Sequence, residues 1–218
     1  MNSVQLAIHD PAQAALWCAV LGASGQWLVL APARNFGATR RSLAQLQPAL
    51  LVSDLRLIDG TVVDIVRALR SGPHPPTTQV LVLTHQADDD LLLHALQAGA
   101  DNFFVNAENA SPAEWLQHAA DTLSGGADIA PWIARRLLDH FGLRPSGKQR
   151  CVIEDLANPL VLTDPERQLL LQLSNGYRLG ELARVEGVRP RELTGRVRQI
   201  YRKMQWQLRA GGLALQGG

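Results

Sequence analysis

The chain has 218 residues, 46% of them hydrophobic and 19% charged, with a formal net charge of +1. That length accommodates one large domain or two small ones, and with no run of about 18 apolar residues no membrane span is expected. The start, MNSVQLAIHD, lacks a basic head and a cleavable apolar stretch, so no secretory leader is expected. Cys18 and Cys151 match no metal or redox spacing and read as free thiols of a cytoplasmic protein.

The near-neutral total hides an asymmetry. Residues 1–125 hold 6 Lys or Arg against 11 Asp or Glu, a net of −5, whereas residues 163–218 hold 10 against 5, a net of +5. An acidic front and a basic back predict two modules, the second facing a polyanion.

In chain order, five apolar runs come first: VQLAI, QWLVLA, ALLVS, QVLVLT and NFFV. Runs of four to seven apolar residues fit strands covered on both faces. The segments between them have helical spacing. Val62, Ile65, Val66 and Leu69 fall on one helix face. DDDLLLHALQAG opens on three aspartates, which suit a helix N-terminus, and closes on Gly99, which suits a C-cap. Ser111-Pro112-Ala113-Glu114 is a capping box with proline in the first turn. Five strands alternating with five helices predict a doubly wound, five-stranded parallel sheet of the α/β class.

The pattern then changes. APWIARRLLDHFGL reads as one amphipathic helix, and LRPSGKQR after it as a flexible linker. Only helices follow, giving a small all-α domain. Thr163 and Glu166 cap the first, with Leu169, Leu170 and Leu173 on its apolar face. LGELARVEG is the second. Pro190 opens the third, in which Leu193, Val197, Ile200, Tyr201 and Met204 keep helical spacing. A full fourth helix is not expected from the glycine-rich end QWQLRAGGLALQGG. The expected domains are therefore 1–125, a linker with one helix over 126–160, and 161–218.

In a parallel sheet, ligands bind beyond the carboxyl ends of the strands. Asp10, Asp54, Thr84 and Asn106 end the first, third, fourth and fifth apolar runs, so they are expected on one rim. With the spacing of SDLRLIDG and VLVLTHQADDDLLLHALQAGADNFFV, this constellation resembles the receiver domain of bacterial two-component response regulators. The resemblance implies that Asp54 is the phosphoacceptor candidate, and that Asp10, Thr84 and Asn106 form its pocket. In that family two acids at the first strand help to bind Mg²⁺, and a lysine follows the fifth strand. Here Ile8-His9-Asp10-Pro11 stands for the acids and Asn106 for the lysine. Phosphoryl transfer needs positive charge around three oxygens, so Asp54 is not expected to be an efficient acceptor, and no cofactor is expected, with Mg²⁺ left open as an alternative. The spacing of His9, His85 and His94 matches no metal site, and they read as solvated or core histidines.

LTDPERQLLLQLSNGY, ELARVEGV and VRQIYRKM resemble the LuxR-type helix-turn-helix of the NarL/FixJ class of response regulators. That implies double-stranded DNA as partner, with the third helix in the major groove. Arg191, Thr194, Gly195 and Arg198 are expected at base edges, and Arg189, Arg196, Arg202 and Lys203 at phosphates. A homodimer is expected, with a sensor kinase or another regulatory protein as further partner. The sequence shows no glycine-rich phosphate loop and no nucleophile–base motif, so no enzyme is expected. The resulting reading is a transcriptional regulator working without orthodox Asp54 phosphorylation. Two alternatives stay open: a phosphorylation-dependent regulator, and a receiver-based interaction module.

Overall fold

A computed structural model describes residues 1–72, 77–85, 90–105, 110–143 and 160–214. The chain forms two compact units, Met1–Ala127 and Asp128–Gly218.

The first unit runs β1 (Asn2–Ala7), α1 (Pro11–Ala23), β2 (Trp27–Val29), α2 (Phe36–Leu46), β3 (Leu50–Asp54), β4 (Arg56–Leu57), β5 (Gly60–Thr61), α3 (Val62–Arg70), β6 (Gln79–Thr84), α4 (Asp90–Ala98), β7 (Asn102–Val105) and α5 (Pro112–Leu123). The main sheet has the order β2-β1-β3-β6-β7, with every pairing parallel. This is the doubly wound order that the five apolar runs predict. Its direction reverses between β1 and β3, where such sheets open a crevice at their carboxyl ends. The apolar runs are continuous because both faces are covered: Leu50, Leu51 and Val52 of β3 and Val80, Leu81 and Val82 of β6 are fully buried.

One feature departs from a simple alternation. Arg56↔Thr61 and Leu57↔Gly60 pair as an antiparallel ribbon, β4–β5, turning at Ile58-Asp59. Two-residue strands are too short to leave a periodicity. Asp59 ties this ribbon to α2, accepting from the backbone N–H of Phe36 and lying 3.5 Å from that of Gly37. A carboxylate there favours the positive end of the helix.

The helices follow their caps. Asp10 caps α1, Asn35 caps α2 and Ser111 shares a reciprocal capping box with Glu114 on α5. The buried face of α3 holds Val62, Val63, Ile65, Val66 and Leu69. Between α1 and α5, Trp17 and Trp115 stack with centroids 4.7 Å apart. At the opposite, amino-terminal end of the sheet, Arg70 Nη2 lies 2.8 Å from Asp101 Oδ2. The same oxygen accepts from Val80 N at 2.7 Å, while Arg70 also donates to the carbonyls of Thr78 and Gly99.

The second unit contains α6 (Pro131–His140), α7 (Asp164–Ser174), α8 (Leu179–Glu186) and α9 (Pro190–Ala214). The amphipathic segment after residue 126 is α6. It buries Ile133, Ala134, Leu137 and Leu138 and packs on α7, where Arg135 Nε donates to Ser174 O at 3.0 Å. The linker segment that follows, with Cys151, falls outside the described residues. Gly187, at φ 67°, ends α8 and turns the chain toward α9. Leu169, Leu170, Leu173, Leu182, Leu193, Val197, Ile200 and Met204 close the core. The glycine-rich end makes no separate fourth helix among the described residues; α9 continues through it to Ala214.

Removing the Asp101 carboxylate takes an ion-pair partner from the largely buried Arg70, which costs about 3 kcal/mol. Asp101→Ala is expected to lower the unfolding free energy by that amount in a urea titration; a loss under ~1 kcal/mol contradicts this account of the pair.

Candidate nucleic-acid interface and strand-end pocket

The pocket of the first unit follows from strand register. Ala7 pairs with Ser53, so the residues just past β1 lie beside Asp54. His9 N donates to Asp54 Oδ2 at 2.9 Å, and His9 Nδ1 lies 2.7 Å from the same oxygen. An ionised carboxylate only accepts, so Nδ1 carries the proton of this hydrogen bond. Asp54 is nearly buried, whereas the His9 side chain is 55% exposed. A cleft of about 210 Å³ is lined by His9, Asp54, Leu55, Arg56, Leu83, Thr84 and His85.

Sequence spacing expects Asp10 beside Asp54; the structure brings His9 there instead. The Asp10 carboxylate accepts from Ala12 N at 3.0 Å and starts α1, a role that any Asp directly before a helical proline can adopt. His9 is thus neither a core nor a merely solvated histidine. A basic side chain directly after the first strand was its signal in the sequence. Thr84 does line the cleft and is buried. Asn106 lies outside the described residues.

This donor set does not fit magnesium. Mg²⁺ demands oxygen ligands in near-octahedral order. Position 8 is a fully buried isoleucine, position 9 an imidazole, and the carboxylate at 10 is engaged at a helix start. Among the described residues Asp54 is the one carboxylate lining the cleft.

In the second unit the tertiary packing sorts the basic residues. Arg191 and Arg202 are exposed, and neither forms an ion pair among the described residues. Arg189 is exposed and pairs with Glu192, Nε to Oε1 at 3.1 Å. Arg196 reaches back to Glu186 on α8 at 3.0 Å. Thr194 Oγ1 donates to Arg191 O within the helix. A Cβ at Gly195 would meet nothing within 4 Å, so the helix surface is open there.

Two expected DNA contacts are corrected. Lys203 Nζ lies 2.6 Å from Glu166 Oε2 and donates to Val161 O at 2.9 Å, with both side chains largely buried. It fastens α9 to the start of α7, where Glu166 also accepts from Thr163 N. Arg198 is 3% exposed. It lies near Tyr201, whose hydroxyl donates to Asp128 O at 2.7 Å. Burial, and then the Asp128 carboxylate, push the Tyr201 phenol well above its ordinary range, while the Arg198 guanidinium pulls the other way. Arg198 is therefore covered beside Tyr201 and Asp128, although it shares the helical phase of the exposed Arg191 and Arg202.

The parallel five-stranded sheet with a strand-end aspartate has the fold of solved receiver domains of response regulators, and a helical unit with a basic last helix follows it. Over 156 residues, 71% of this chain and 69% of the relative, the chain is 27% identical to the transcriptional regulatory protein LnrK of Bacillus subtilis. It is 28% identical over 165 residues to the DNA-binding transcriptional activator DevR/DosR of Mycobacterium tuberculosis, covering 75% of this chain and 70% of that one. Among solved structures, a LuxR-family two-component response regulator from Aurantimonas sp. matches 64% of this chain and 96% of its own, with a TM-score of 0.54 and 22% identity. The RcsB response regulator of Salmonella typhimurium matches 93% of this chain and 91% of its own, at TM-score 0.50 and 16% identity. No protein-family profile matches the chain. Among the described residues no helix is long and apolar enough to cross a membrane.

Lys203→Ala strands a buried carboxylate and is expected to destabilise the second unit by about 3 kcal/mol. Arg202→Ala, one residue away on the open face, should change stability by less than about 0.5 kcal/mol. Thermal unfolding of the two variants checks the assignment; equal effects contradict it.

Proposed function

We propose that the chain is a DNA-binding transcriptional regulator that docks α9 in the major groove and whose receiver works without orthodox phosphorylation of Asp54. The observation that carries the first half is the exposed face of α9, where Arg191 and Arg202 stand clear of the protein around the open Gly195. A helix offering free cations on an open face suits a duplex, where guanidinium groups meet phosphates and guanine edges. The names of LnrK and DevR/DosR support the same reading. No catalytic role is assigned to the chain. It acts in the cytoplasm as a homodimer, under a regulatory protein or sensor kinase that engages the acidic receiver.

The second half is supported by His9. Two donors already converge on one oxygen of Asp54. Hydrogen bonds to charged groups are worth about 1.5–3 kcal/mol each, so an incoming phosphoryl group competes with an occupied lone-pair region. Among the described residues the cleft holds no second carboxylate beside Asp54 to complete a metal site.

Binding of the full chain to a duplex selected from random sequence is expected to weaken steeply with salt. Arg191→Ala and Arg202→Ala should each reduce affinity and flatten the salt slope, by about 1 where the contact is to a phosphate. Unchanged affinity in both variants removes this face from the interface.

Incubation with a small phosphodonor and Mg²⁺, read by intact mass, is expected to add no phosphoryl group beyond the Asp54→Ala control. An Asp54-dependent adduct would establish the phosphorylation-driven alternative instead.

A further inference from the structure

Helical phase divides α9 into two sides. Leu193, Val197, Ile200, Tyr201 and Met204 are buried. Opposite them, Arg191, Gly195, Gln199 and Arg202 follow one another at steps of four, four and three, a single line along the helix. Arg198 shares the phase of Arg191 and Arg202, seven residues after the one and four before the other, but it is buried beside Tyr201 and Asp128.

We propose that Gln199 is the side chain by which α9 distinguishes adenine in its DNA site, an assignment that rests on the DNA-binding reading above. A carboxamide carries a donor and an acceptor side by side. Adenine presents N7 as acceptor and its N6 amino group as donor on the major-groove edge, so the two pair in a bidentate way. The other glutamines of α9 are engaged elsewhere: Gln205 is buried, and Gln207 donates to Leu160 O at 2.9 Å. Gln199 is exposed.

The neighbours on the line complete the geometry. One turn earlier, Gly195 leaves the helix surface open, so the backbone can approach the base edges closely and a short amide can reach them. Arg191 and Arg202 flank the amide on either side and hold the helix in register against the duplex. Glu192, the carboxylate of this region, is matched by Arg189 at 3.1 Å, which damps its repulsion toward phosphates.

The test uses the full chain and a duplex enriched by the wild-type protein from random sequence, with each base pair then substituted singly. Wild type should show an A·T pair at which substitution costs about tenfold in affinity. Gln199→Ala should erase the preference at that one position and leave the others and the salt slope unchanged. Gln199→Glu, which can only accept, should move the preference toward cytosine. Arg198→Met, which keeps an apolar stem in the buried position, should retain the wild-type profile. A Gln199→Ala profile identical to wild type overturns the assignment. So does loss of base preference in Arg198→Met, since it would mean that Arg198 leaves its buried place and reads the base itself. A wild type that enriches no sequence overturns the DNA reading and this assignment together, whereas selective binding with an indifferent Gln199 sinks only the latter.

Discussion

The first unit depends on the parallel pairing of β1 with β3. That pairing lies where the strand order reverses, so the chain leaving β1 and the chain leaving β3 depart on opposite sides of the sheet and leave a crevice between them. The register Ala7↔Ser53 sets which side chains meet there. A shift of one residue would turn every side chain of the strand to the opposite face. Fully buried neighbours such as Leu6 and Val52 forbid that shift. The contact of His9 with Asp54 thus follows from the core: apolar packing fixes the register, and the register places the imidazole.

The chemistry of the crevice changes with that contact. A strand-end carboxylate among acids would gather a divalent cation. The same carboxylate beside an imidazole and a backbone N–H has hydrogen bonds supplied from within the chain. The fold of receiver domains is kept while its strand-end carboxylate is held by a neighbour. Fold and chemistry are separable in this way because the sheet is stabilised by buried apolar strands, and the rim residues contribute little to it.

In the second unit the ruling constraint is what packs around α9. A residue's charge marks it as a candidate for DNA contact, but its angle around α9 and the elements packed there decide whether it can act as one. Lys203 and Arg202 are adjacent and both basic; one is fastened to Glu166 on α7 and the other points outward. Arg198 and Gln199 divide in the same manner, with the charged member buried and the neutral one exposed. A buried cation is tolerated where neighbouring groups answer its charge.

What the residues alone determined is the architecture. Apolar runs of strand length, helical stripes such as Val62–Leu69, and the caps Ser111–Glu114 and Thr163–Glu166 are local signals, and local physics suffices to read them. The parallel order follows from the alternation of those elements. The short β4–β5 ribbon and the passage of α9 through its glycine-rich end lay beyond that reading; two residues have no periodicity, and two glycines have low helix propensity. Only the tertiary structure decided which side chains do what at the sites. That His9 meets Asp54, and that Lys203 and Arg198 are covered while Arg202 and Gln199 are exposed, depends on partners far away in the chain. Such partners are set by how whole elements pack, and no short stretch of sequence contains both halves of the contact.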